Sequence, residues 1–185
     1  MDPQTTAVEP PLGSIGLTVI YGDVGGLIRL GQWLARLTWK FWTWRTLWKT
    51  ARNEHAVIYI GGGKIIEAEP GPDGARLANL TEYDDRPVLW LRCPEQYGPA
   101  VAHSARLLQG TRYSAADYIA LAAHRFHLPV PGLRAFIEAS GHAMCSQLAD
   151  MAAQLGGWQI FDDGRWRGFV MPFDLAELAE QAAAA

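Results

Sequence analysis

Cys145, His55 and the glutamates that follow that histidine have the residue types and settings for covalent chemistry in this 185-residue chain. Cys145 stands in Gly-His-Ala-Met-Cys-Ser-Gln-Leu-Ala-Asp, where a glycine-containing loop passes into a helical pattern. A helix start lowers a thiol pKa through its partial positive charge and unpaired amides, and the same amides can hold an oxyanion. His55 opens His-Ala-Val-Ile-Tyr-Ile-Gly-Gly-Gly-Lys-Ile-Ile-Glu-Ala-Glu, two short apolar runs about a triple glycine, which reads as a β-hairpin. A thiolate nucleophile needs a histidine to take and return its proton, and the histidine needs a third polar group to hold its ring.

Strand arithmetic supplies that group. With Gly61 to Gly63 as the turn, Ile60 pairs with Lys64, Val57 with Glu67 and His55 with Glu69. Alternation then puts His55, Glu67 and Glu69 on one face. Glu69 reaches the imidazole directly and Glu67 diagonally, so spacing leaves the choice open. His142, Ser146 and Tyr59 are candidates for supporting contacts. Taken singly, a cysteine at a helix start is more often a small buried hydrophobe, and a strand histidine more often structural. The combination carries the reading.

The elements that must position these residues are short. Ile15 to Tyr21 is a β-branched run, and residues 55–60, 64–69 and 88–92 supply further strands. Residues 70–74 are a loop by composition. Helical patterns begin at Leu27 and run over 96–108, over 115–126 behind a Ser114 cap, over 145–155 and over 174–184. Residues 158–170 read as a closing hairpin. The class is α+β, a small and mainly antiparallel sheet packed against helices. Apolar residues make up 49% and charged residues 19%, which suits one well-buried core at this length. A flexible lead is expected over 1–12, a single domain over 13–180 and a frayed tail over 181–185.

The run His55-Ala56-Val57-Ile58-Tyr59-Ile60-Gly61, then Ile65-Ile66-Glu67-Ala68, then Cys145-Ser146-Gln147-Leu148 resembles the circularly permuted NlpC-type papain-like hydrolases. That group includes peptidoglycan amidases and endopeptidases and the lecithin–retinol acyltransferase-like enzymes. The order, histidine first and cysteine last, is the specific part. Gly22-Asp23, Leu27-Ile28-Arg29, Gly110-Thr111-Arg112-Tyr113 and Val170-Met171-Pro172-Phe173-Asp174-Leu175 look like weaker landmarks, so the resemblance spans roughly residues 15 to 178. It implies a permuted papain-like fold, with Cys145 as nucleophile, His55 as base, Glu67 as the residue that orients His55, and Glu69 as its neighbour. It also implies a thiol hydrolase of amide or acyl bonds, with peptidoglycan peptide amides as leading substrate and no cofactor. The chain departs from the family in a longer segment, about residues 31–52, before His55.

That segment is unusual in charge. Residues 29–52 hold Trp33, Trp39, Trp42, Trp44 and Trp48 together with Arg29, Arg36, Lys40, Arg45, Lys49 and Arg52, with no acid before Glu54, in a chain of net charge −3. One face, with Leu30, Leu34, Leu37, Phe41, Trp44 and Trp48, can pack on the core. Trp39, Trp42, Trp44 and Arg45 are candidates for contact with substrate or with an anionic membrane surface. Nucleic acid is not expected, since no reading module accompanies the patch. A catalytically idle domain that binds membrane or cell wall is the non-enzymatic alternative.

A metal site is the competing chemistry. His142, Cys145 and His55 with a carboxylate could form a ligand set, but no second close-spaced ligand pair accompanies them. His124 and His127 read as a surface helix end, and His103 has no partner in view, so no metal is expected. The N-terminus has neither a basic start nor an apolar run, which argues against a signal peptide. A cytoplasmic protein is expected, with release at lysis or a place in a virion as the route to a cell wall. Two cysteines in different contexts, Cys93 and Cys145, suggest a reducing compartment.

Overall fold

A computed structural model of the chain describes residues 9–19, 55–69, 74–113, 143–164 and 170–184. Within them lies an open antiparallel sheet of five strands, β1 (Ile15–Thr18), β2 (His55–Gly61), β3 (Lys64–Ala68), β4 (Ala75–Asn79) and β5 (Val88–Leu91), in the order β4-β3-β2-β1-β5. A 3₁₀ turn (Leu80–Tyr83) follows β4, and the helices are α1 (Gly98–Leu107), α2 (Cys145–Leu155) and α3 (Pro172–Ala184). The α+β class with an antiparallel sheet and helices packed on it is therefore observed. No helix among the described residues is long and apolar enough to cross a membrane.

The hairpin forms because its glycines take backbone conformations that other residues avoid. Gly62 and Gly63, at φ 61° and 68°, make the two-residue turn, a pairing that matches a type I′ hairpin. The tighter turn changes the expected register at one point. Val57 does face Glu67, but Lys64 pairs with Gly61 and not with Ile60, which is left as a β-bulge. The Ile60 carbonyl displaced by the bulge accepts a hydrogen bond from Arg106 Nη2 of α1 at 2.6 Å.

The sheet is covered on both faces. Ile15, Leu17, Ala56, Ile58, Ile60 and Ile66 meet Val101 and Ala105 of α1, Leu148 and Ala152 of α2, and Leu175 and Ala176 of α3. On the other face Val57, Tyr59, Ile65 and Ala78 pack with Tyr83, Val88 and Trp90. β2 is central and buried on both sides, which explains an unbroken apolar run where simple alternation would show a polar face. Of the lead expected over 1–12, residues 9–12 are described and are anchored. Leu12 packs on the helix-side core, and the Tyr59 hydroxyl donates to the Glu9 carboxylate.

One expectation is corrected and one strand is added. Residues 158–164 form no strand: the Trp158 amide closes the end of α2 on Ala153 O at 2.8 Å, and Trp158 and Phe161 are buried in the helix-side core. The added strand is β4: its Ala-Arg-Leu-Ala-Asn carries little intrinsic strand preference and is held by pairing with β3, while residues 70–73 of the expected loop lie outside the described residues. The helical patterns beginning at Leu27 and running over 115–126, and the insertion at 31–52, lie outside the described residues.

α1 and α2 approach closely because their contact is built of small residues, with Ala102, Ala105, Ala149, Ala152 and Ala153 all buried. Gly156, just past α2, completes this seam: a Cβ there would lie 2.6 Å from the Val101 backbone nitrogen. Gly156→Ala forces backbone against backbone, so we expect a loss of about 2 kcal/mol or more. Urea denaturation should show a lower midpoint with the slope unchanged; a wild-type midpoint would contradict this account of the helix seam.

Candidate active site

Cys145 is the first residue of α2, and His55 is the first residue of β2. The helix begins on Met144, whose backbone is extended and whose carbonyl accepts the first helical bond from the Leu148 amide at 2.8 Å. Gln147 braces this start from the third position, its Oε1 accepting the Met144 amide at 2.9 Å. The Cys145 amide lies in the first helical turn, where the helix's own ladder has no use for it.

The Cys145 thiol meets the N-terminal end of β2. It lies beside the His55 ring and the backbone amides of Ala56 and Ser146. His55 Nε2 bonds Glu67 Oε2 at 2.9 Å, which leaves Nδ1 as the ring nitrogen available to the thiol. Glu67 faces Val57 across the β2–β3 pair, so it reaches His55 diagonally. Cys145 is 6% exposed, His55 5% and Glu67 0%.

Burial alone would lower the His55 pKa, but the hydrogen bonds and charges of Cys145 and Glu67 outweigh it and push the ring up to about 10. Burial alone would raise the Cys145 thiol; the His55 hydrogen bond and charge, with the two amides, hold it below the ordinary thiol range. Glu67 is also held low, its burial outweighed by His55, Tyr83 and Arg76. Both shifts run in the direction that favours a thiolate beside an imidazolium. Cys93 provides the contrast: burial without such partners pushes its thiol up to about 11.

The remaining expected residues fall in different places. Glu69 forms no hydrogen bond with His55; its Oε2 accepts Arg76 Nε at 3.2 Å. The Ser146 hydroxyl donates to the buried Val170 carbonyl at 2.8 Å, tying α2 to the chain before α3. The Tyr59 hydroxyl is engaged with Glu9 and the Gly63 amide at the far end of the hairpin. His142, Trp39, Trp42, Trp44 and Arg45 lie outside the described residues.

Sequence reasoning missed two neighbours of Glu67. The Tyr83 hydroxyl donates to Glu67 Oε2, and Arg76 Nη2 lies 2.6 Å from Glu67 Oε1. A signal for the first was present: Asn79 and Glu82 have cap spacing, and Glu82 Oε1 accepts the Asn79 amide at 3.0 Å, fixing the turn that carries Tyr83. His55, Glu67 and Glu69 offer ligand atoms within 4.8 Å of one another. The Arg76 guanidinium already acts as counter-cation to both carboxylates, so this cluster is built for an arginine rather than a metal ion. Compared with protein-family models, curated proteins and solved structures, the chain gives no match.

Two outcomes separate the roles of these side chains. In His55→Ala the thiol loses its counter-ion while staying buried. A thiol of ordinary pKa is ionised to well under one part in a hundred near pH 6, so alkylation of Cys145 there should slow on the order of 100-fold. A rate within about twofold of wild type would contradict the ion pair. In Ser146→Ala the Val170 carbonyl loses its buried donor, and stability should fall by about 1–3 kcal/mol in urea titrations. The backbone amide at 146 is retained, so the folded variant should still alkylate rapidly.

Proposed function

We propose that the protein is a cysteine-dependent hydrolase that cleaves amide or acyl bonds through a Cys145 thioester, on a permuted papain-like fold of NlpC type. The observation that carries this reading is the buried line Cys145–His55–Glu67, with the thiol on the first residue of a helix. The fold assignment is supported by that helix lying against an antiparallel sheet whose central hairpin begins at the histidine.

In this reading Cys145 Sγ attacks the substrate carbonyl carbon, forming a C–S bond as the carbonyl electron pair moves onto oxygen. In the first turn of α2 the Cys145 amide and its neighbours would stabilise that oxyanion. The intermediate collapses with cleavage of the C–N or C–O bond, and His55 Nδ1 gives its proton to the leaving amine or alcohol. Neutral His55 then deprotonates a water that attacks the thioester, and release of the acid restores the thiolate–imidazolium pair. An acyl acceptor in place of water turns the same sequence into acyl transfer. Glu67 keeps the ring oriented and the imidazolium favourable throughout.

Peptidoglycan peptide amides are the first substrate class, on the resemblance of the His55, Glu67 and Cys145 runs to the NlpC-type hydrolases. A lipid or acyl substrate at an anionic membrane surface is the second, favoured by the tryptophans and six cations of residues 29–52. Incubation with peptidoglycan fragments and, separately, with anionic phospholipid vesicles, followed by mass spectrometry, tests both. We expect cleaved product and an acyl adduct on Cys145, both absent in Cys145→Ala. Product from fragments alone supports the amidase, and product from vesicles alone supports the lipid reading. Folded protein giving neither product nor adduct with either substrate contradicts the hydrolase.

A further inference from the structure

We propose that Arg76 and Tyr83 are positioning residues for this site: they hold Glu67 ionised and aimed at His55, and so sustain the Cys145 thiolate at one remove. The inference rests on the hydrolase reading and extends it to two residues outside the catalytic line.

Glu67 is the deepest group of the site, at 0% exposure, and a carboxylate so buried tends to take up a proton unless it is compensated. Three groups compensate it, each from a different element. His55 of β2 and Tyr83 of the 3₁₀ turn both donate to Oε2, and Arg76 of β4 lies against Oε1 at 2.6 Å. The register makes this automatic, because Glu67 pairs directly with Arg76 across β3 and β4. Charges then alternate along one line: thiolate, imidazolium, carboxylate, guanidinium. Removing the last leaves Glu67 with a hydroxyl and an imidazolium only. A protonated Glu67 no longer favours the imidazolium, and an imidazole that loses its proton no longer supports the thiolate.

The surroundings fix each part. Arg76 is shared with Glu69 of β3 at 3.2 Å and Glu82 of the 3₁₀ turn at 3.1 Å, so its fork is oriented from both sides. Those two carboxylates face Arg76 and add negative charge near Glu67, which makes the guanidinium the essential balance. The Tyr83 ring stacks on the His55 ring, with centroids 6.2 Å apart and planes at 17°, while Arg86 lies over Tyr83 at 5.1 Å. Burial and the neighbouring carboxylates push the Tyr83 hydroxyl well above the ordinary phenol range, so it remains a donor wherever the protein is folded.

The test is the rate of Cys145 alkylation by iodoacetamide as a function of pH in the full-length protein, which needs no substrate. In Arg76→Gln the acid limb, where the rate falls as the thiolate is lost, should move up by about one pH unit, a tenfold slower rate at fixed pH on that limb. Arg76→Lys keeps the charge and should recover most of the shift. Tyr83→Phe keeps the stacked ring and should move the limb in the same direction by less, about threefold in rate. Limbs that coincide with wild type overturn the proposal, as does an equal shift in Arg76→Gln and Arg76→Lys, which would mark a purely structural role. Should Arg76→Gln fail to fold, Tyr83→Phe decides alone: a shifted limb supports the proposal and an unshifted one overturns it. A wild-type Cys145 that alkylates no faster than a free thiol sinks the hydrolase reading itself. An activated wild type with unshifted variants sinks only the positioning roles.

Discussion

The contact of the buried His55 ring with Glu67 on one side and Cys145 on the other is the interaction on which the site depends. His55 is 5% exposed, and burial of that depth normally drives a histidine toward its neutral form. Here that tendency is outweighed because Cys145 and Glu67 both meet the ring. The converse also holds, since the buried thiol ionises easily only beside a cation. Tyr83 and Arg76 in turn offset the burial of Glu67.

The fold serves that constraint by joining two ends. α2 delivers the thiol with its first-turn amides, and β2 delivers the ring with its first residue. Close approach of α1 and α2 through alanines and Gly156 seats α2 on the sheet, and the Ser146 bond to Val170 ties its first turn to the segment leading into α3. On the opposite face the 3₁₀ turn after β4 brings Tyr83 under Glu67. One face of the sheet therefore carries the helix that starts at Cys145, and the other carries Tyr83 beside Glu67.

The nearness of His55 and Glu67 was legible in the sequence because hairpin periodicity and a glycine turn constrain the register strongly, whereas Cys145 stood out only by its place at a helix start. The Val57–Glu67 pairing follows from counting back from the turn, while the Ile60 bulge does not, since three consecutive glycines hide which two make the turn. Glu67 could not be separated from Glu69 by spacing. In the structure the His55 ring bonds Glu67, while Glu69 bonds Arg76, which sits on a strand whose composition barely signals one. Residues 158–164 show the opposite error: Trp158, Ile160 and Phe161 have strand-like composition, but their apolar surface fills the helix-side core without pairing.

The central claim is that Cys145 ionises far below an ordinary thiol because His55 stands beside it as a cation. The most direct measurement is the ultraviolet thiolate absorbance of the wild-type protein against pH, with Cys145→Ser subtracted. The account predicts that the Cys145 signal persists well below the ordinary thiol value of about 8.5 and remains substantial near pH 6. A thiolate that appears only at or above about 8.5 would contradict it.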